Sequence, residues 1–228
     1  MTQPLKLVSS MAAREVLAEL AAAFTRATGQ PVSAEAGGGV EVAKRIAAGE
    51  AADVVVLSDT AIDKLIVGGS LVAPRFDLVQ SGVAIAVPKG AVRPPVGTEE
   101  EVRAAVAAAP SLSYSTGPSG VYLEKLFERW GILAELRPRI VVPPPGVPVG
   151  QLLAEGRAAL GFQQLSELLN VPGIEVLGPL PASIQTITTF SGGIAAASPR
   201  AAVARTLLEF MQQASAAGVK RRYGMEPV

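Results

Sequence analysis

The stretch LVAPRFDLVQSGVAIAVPKG, residues 71–90, decides how this chain folds. A loop is expected through Pro74, Arg75 and Phe76, followed by a turn at Ser81 and Gly82. The run Val83-Ala84-Ile85-Ala86-Val87 comes next, and Pro88 stops it. A short apolar run bounded by turn residues suits a fully buried strand. We read it as a strand that leaves one α/β lobe and enters a second. The apolar and β-branched segment from Ile184 to Phe190 then brings the chain back. On this reading residues 1–80 and 188–228 form lobe one and residues 81–187 form lobe two. The ligand cleft lies between them, where clefts between domains usually take their ligands. The two segments also fit two ordinary strands of a single domain.

Composition narrows the function classes. The chain has 228 residues, enough for one large domain or two small ones. Lys plus Arg and Asp plus Glu are 20 each, so the formal net charge is zero. Nothing favours a nucleic-acid partner, which calls for a basic surface. The absence of cysteine rules out disulfides and thiolate metal sites. The absence of histidine removes the commonest general base and metal ligand, and with them any Ser-His-Asp triad. Neither a metal nor a cofactor is expected. No stretch is long and apolar enough to span a bilayer. A strand from Leu5 to Val8 follows Met1 almost at once, with no signal peptide before it. The expected location is the periplasm if a secretion signal has been removed, and the cytoplasm otherwise.

Along the chain, apolar runs alternate with helical patterns. Leu17, Leu20 and Phe24 share one face of a helix expected from Met11 to about Thr28, which Gly29 ends. Ser10 suits its N-cap; alternatively, Ser9 and Ser10 present hydroxyls and helix N–H groups to an anion. Gly37-Gly38-Gly39 precedes a helix from Val40 to Ala48. It is either a plain turn or a place where backbone N–H groups approach a ligand, and it lacks the lysine and spacing of a nucleotide loop. Asp53, which starts the buried run Val54 to Leu57, reads as a structural carboxylate.

In the middle of the chain, Thr98 or its neighbours open a helix expected over Glu99 to Ala108, and a strand is expected over Leu112 to Ser115. Ser119 and Gly120 then repeat the arrangement seen at Ser10: strand, small-residue loop, hydroxyl, helix start. Tyr122, Leu126 and Trp130 form a core stripe. A short strand is expected from Ile140 to Val142, and a stiff loop through Pro143, Pro144, Pro145 and Gly146. A helix beginning near Pro148 and Val149 follows. Gln163 and Gln164 end the strand that starts at Ala159; they offer donors and acceptors to a ligand, or tie two loops together. A turn is expected at Ser191-Gly192-Gly193, and Lys220-Arg221-Arg222 reads as a solvated charge run.

Ser9, Ser10, Gly38, Gly39, Ser119, Gly120 and Val149 thus all sit near helix starts, where unpaired N–H groups and partial positive charge suit a small anion without metal or histidine.

The segments VSSMAAREVLAELAAAFTRATG, GGG before a helix, ADVVVLSDTAIDKL, SGVAIAVPKG, PSGVYLEKLFERWG and KRRYGMEP resemble the molybdate-binding proteins of ABC transporters. The resemblance spans nearly the whole chain. It implies an α/β, two-lobed type 2 periplasmic-binding-protein-like fold with two crossing hinge strands. It also implies a small anionic ligand, an ABC transporter permease as partner if the protein is periplasmic, and a monomer. Serine hydroxyls and backbone N–H groups hold a tetrahedral anion in that family; by resemblance these roles fall to Ser9 or Ser10, Gly38 or Gly39, Ser119 and Val149. The glycine triplet and Gln164 stand where that family has a serine and a tyrosine, so two hydroxyl donors are lost. GFQQLSELL, GPLP and IQTITTF look like a divergent branch of this superfamily, one that resembles aconitate isomerase. That similarity implies a small polycarboxylate as ligand or, as the alternative, allylic proton transfer on it. Arg75 and Arg14 are then candidate carboxylate contacts, or else surface positions. Without histidine or cysteine, the base for such a reaction is a carboxylate, Lys44, Tyr114, Tyr122 or an activated Ser10 or Ser119.

Overall fold

The computed structural model describes residues 3–144 and 146–228; Met1 and Pro145 of the proline-rich loop lie outside the described residues. The elements in order are β1 (Leu5–Ser10), α1 (Arg14–Thr28), β2 (Val32–Gly37), α2 (Gly39–Ala47), β3 (Val54–Ser58), α3 (Asp59–Val67) and β4 (Leu71–Pro88). Next come α4 (Glu99–Ala108), β5 (Leu112–Tyr114), α5 (Pro118–Arg129), α6 (Leu133–Leu136), α7 (Val149–Ala154), β6 (Leu160–Gln164) and α8 (Leu165–Leu168). β7 (Ile174–Pro179), β8 (Ile187–Ala195), α9 (Ala201–Gln212), α10 (Ala217–Arg222) and β9 (Glu226–Pro227) complete the chain.

The chain divides into two compact units: one runs to Ser81 and resumes over Thr188–Val228, and the other is Gly82–Ile187. The chain passes from one unit to the other within β4 and again at the start of β8. In the first unit β1 lies parallel between β2 and β3, and β3 pairs antiparallel with β8. Leu5 and Leu7 face a core with α1 and α9, while Val8 faces a second core with α2 and α3. Two covered faces explain why these strands read as continuous apolar runs. In the second unit the later part of β4 pairs with β6 on one side and β7 on the other, and β5 runs parallel to β6. Val83, Ile85 and Val87 pack with α4 and α5; Ala84 and Ala86 pack with α7.

Several local readings change in the structure. The turn expected at Ser81-Gly82 is absent: β4 is one strand of 18 residues. Gln185 brackets the position, since its Oε1 accepts from the Val83 N–H at 2.9 Å and its Nε2 donates to the Val83 carbonyl at 3.0 Å. Gly82 makes room for it, because a Cβ there would lie 3.0 Å from Gln185 Nε2. Ser191-Gly192-Gly193 is likewise inside β8 rather than a turn. A Cβ on Gly192 would stand 2.3 Å from Leu208 Cδ2, and one on Gly193 2.6 Å from Leu71 Cδ1. These glycines admit close packing, a use that local sequence does not distinguish from turn chemistry. Ile140 makes only an isolated bridge to Leu112, and Pro143 and Pro144 beyond it have no N–H to extend a ladder. Lys220 is not solvated: it is 1% exposed, while Arg221 and Arg222 pair with Glu226 and Glu19.

Other readings match. Thr98 caps α4 in a reciprocal box with Glu101. Asp53 is structural, accepting from the Lys6 N–H at 2.8 Å, from Ser198 Oγ at 2.6 Å and from Arg200. Burial pushes its pKa up, but these hydrogen bonds outweigh burial and hold the carboxyl below its ordinary value.

Candidate anion-binding site

In the first unit three parallel strands end together, and each is followed by a helix. Ser10 closes β1 opposite Gly37 of β2, and Ser58 closes β3. Alternation sends Ser10 to the face of Val8, toward α2 and α3, and Ser9 to the face of Leu5 and Leu7. Ser10 therefore meets Gly39: a Cβ built on Gly39 would lie 3.5 Å from Ser10 Cβ.

The expected capping role of Ser10 is not what the structure shows. Met11–Ala13 forms a short 3-10 turn before α1, and Ser10 makes no side-chain cap. Its Oγ is buried and has no hydrogen-bond partner. An unsatisfied buried hydroxyl is costly unless something else meets it. Gly38 takes the N-cap position of α2, so the N–H groups of its first turn, beginning at Gly39, lack intrahelical acceptors. Ser58 is a further buried hydroxyl in the same setting, before α3, with its Oγ 3.4 Å from Thr60 Oγ1. Its strand–serine–helix pattern is the same as that of Ser10 and could have marked it in the sequence.

In the second unit α5 starts directly against the end of β5. A Cβ on Gly120 would fall 1.6 Å from the Ser115 carbonyl oxygen, so only glycine allows this approach. Ser119, in the first turn, is buried, and its Oγ lies 2.9 Å from Ser115 Oγ. Val149 begins α7, but its side chain packs in the core, 2.8 Å from where a Gly161 Cβ would stand. Only its backbone is left to face a ligand. Gln163 and Gln164 end β6 and are both buried, on opposite faces. Gln163 Nε2 donates to Glu167 Oε1 at 2.8 Å, while Gln163 Oε1 has no partner. Ser166 Oγ, in the first turn of α8, is buried without a partner as well.

The arginines are placed differently. Arg75 Nε donates to Asp77 at 2.8 Å and Nη1 to Asp63 at 2.5 Å. These hydrogen bonds, first that to Asp77, raise its pKa further, so its charge is already met by two carboxylates. Arg14 is exposed beside Glu15. Of the candidate bases, Tyr122 donates its hydroxyl to the Ile184 carbonyl at 2.9 Å, and Tyr114 donates to Glu124 at 3.0 Å.

Residues 5–226 match the family of bacterial extracellular solute-binding proteins. This chain belongs to that family. It is 35% identical to an aconitate isomerase from a Pseudomonas species, over 98% of this chain and 88% of that protein. Among solved structures, the periplasmic molybdate-binding protein of Azotobacter vinelandii superposes with a TM-score of 0.80 at 21% identity, covering 97% of this chain and 98% of that one. The sulfate-binding protein of Mycobacterium tuberculosis superposes with a TM-score of 0.79 at 14% identity, covering 100% of this chain and 88% of that one. The fold is therefore the two-lobed type 2 fold of periplasmic binding proteins. Among the described residues, no helix is long and apolar enough to cross a membrane.

Proposed function

We propose that this protein binds a small polycarboxylate anion as a solute-binding protein, with one half site on each unit. Ser10, Gly38 and Gly39 form the first half; Ser119, Gly120, the Val149 backbone, Gln163 and Gln164 form the second. Ser9 and Arg75 are left out, the first because its hydroxyl, unlike that of Ser10, is not a buried atom without a partner, the second because it is held by carboxylates. The observation that carries the proposal is the buried, unpartnered Ser10 Oγ next to the open first turn of α2. A second unsatisfied polar atom, Gln163 Oε1, ends a strand of the other unit. Neutral hydroxyl and amide donors stabilise an anion in a dry site without a metal. Gln163 Oε1 is an acceptor, so it favours a ligand that brings an O–H, which a partly protonated polycarboxylate does and a bare oxyanion does not. Isothermal calorimetry across cis-aconitate, trans-aconitate, citrate, molybdate and sulfate tests this. Saturable one-to-one binding of a polycarboxylate is expected, and silence toward all five removes the site. Delivery to an ABC transporter outside the cytoplasm, by a monomer, goes with this reading.

The 35% identity to an aconitate isomerase over nearly the whole chain favours a second reading, in which the bound polycarboxylate is isomerised. Proton NMR of either aconitate isomer in deuterated water decides it. Interconversion with deuterium uptake supports turnover; tight binding without exchange leaves a pure binding protein.

A further inference from the structure

The second unit holds a cavity of 530 Å3 between the end of β5, the outer side of α5 and the segment around Ile140. Volumes of this order suit small organic ligands. Two opposite charges line it. Glu124 is fixed by the Tyr114 hydroxyl, which donates to its Oε1 at 3.0 Å. Burial and the neighbouring Glu124 push the Tyr114 pKa up, so the phenol remains a donor at neutral pH. Arg137 lines the same cavity, and its charge reaches Tyr114. Arg137 forms no ion pair with Glu124 or with any other carboxylate among the described residues. The rest of the wall combines Ser115, Thr116 and Gly120 at the start of α5 with apolar side chains, Val121 and Val142 more than half exposed and Ile140 beside them.

An inorganic oxyanion makes no use of the apolar side chains and is repelled by Glu124. A simple carboxylate uses Arg137 but leaves Glu124 facing its carbon chain. A zwitterion with an apolar side chain meets all three features. We propose that this cavity is a second ligand site, for an apolar α-amino acid, with its carboxylate on Arg137, its ammonium on Glu124 and its side chain against Val121, Ile140 and Val142. This goes beyond the anion half sites: the cavity borders the second of them at Gly120 but takes its charges from Arg137 and Glu124, which that half site does not use.

The test is calorimetry on the full chain with L-valine, L-leucine and L-phenylalanine. 4-Methylpentanoate and 3-methylbutylamine serve as leucine without its amine and without its carboxylate. At least one amino acid is expected to bind one to one, with affinity falling as salt rises. Each leucine fragment is expected to bind about tenfold more weakly than leucine, as are leucine complexes of Arg137→Gln and Glu124→Gln. An anion found to bind elsewhere on the protein leaves the amino-acid stoichiometry unchanged. No saturable binding of any of the three amino acids overturns the proposal. So does equal affinity for leucine and both fragments. The fragment comparison needs no variant and stands even if a substitution perturbs folding.

Discussion

The two units build the helix starts of the proposed anion site from the same parts, a strand end, a serine and a glycine, yet they distribute the constraint differently. In the first unit the hydroxyl of Ser10 is unmet and the neighbouring Gly39 has room for a side chain. In the second the hydroxyl of Ser119 is tied to Ser115, and Gly120 has no room at all. One half is left incomplete by its own protein; the other is assembled in advance. A hydroxyl that finds no partner in its own chain is a donor set aside for something else. A hydroxyl held by another serine is a fixed surface, and on the proposed function it is pre-organised for the ligand.

The largest contrast is expected from the glycines. Gly120→Val drives a side chain into the Ser115 carbonyl and should cost about 3 kcal/mol, read as a lowered urea midpoint. Gly39→Ala adds a methyl at ordinary contact distance and should change stability by less than about 0.5 kcal/mol. Equal effects from the two would erase the distinction. The serines come next. Ser10→Ala should weaken ligand binding about tenfold without loss of stability, because its hydroxyl satisfies nothing in the protein. Ser119→Ala should weaken binding and also lower stability by about 1 kcal/mol, since Ser115 loses its partner.

Smaller effects test the frame outside the helix starts, in the first unit. Lys220 is buried, and burial lowers its pKa. The unfolded chain therefore holds that proton more tightly, and this group's contribution makes the fold more stable as pH rises toward the ordinary lysine value of 10.5. Lys220→Met should raise the urea midpoint at neutral pH and remove that slope. The acid limb has the opposite origin. Hydrogen bonds from Arg45 and then Lys6 hold the Glu50 carboxyl at about 2, down from 4.5. Its contribution is complete above 4.5 and fades as pH falls toward 2. Glu50→Gln should flatten the urea midpoint across that window.

Much of the architecture was legible because it follows from periodicity. The alternation of buried strand and amphipathic helix, the helix start near Thr98 and the structural Asp53 are local or single-residue signals. What misled was small residues used for packing. Gly82, Gly192 and Gly193 have the same local chemistry whether they turn a chain or admit Gln185, Leu208 and Leu71. Lys220 looked solvated beside two arginines because burial is set by elements far away in sequence. At the candidate site, strand–serine–helix spacing pointed to Ser10 and Ser119. It could not tell a cap from an unmet hydroxyl, because that depends on the 3-10 turn after Ser10 and on where α2 comes to rest. Arg75 was undecidable from sequence for a similar reason: Asp63, one of its partners, lies twelve residues away.

The passage of β4 and β8 between units also governs how the protein can be made. The second unit is one uninterrupted segment, Gly82–Ile187, and its strands can pair as soon as that segment leaves the ribosome. The first unit is begun early and finished last. Until β8 emerges, β3 has an open edge where Val54 to Ser58 await Ile194 to Phe190, and Asp53 awaits Ser198 and Arg200. An unpaired apolar edge of that kind invites association with other chains. The nascent protein is therefore most in need of a chaperone while its second unit is being translated, even though the exposed surface belongs to the first.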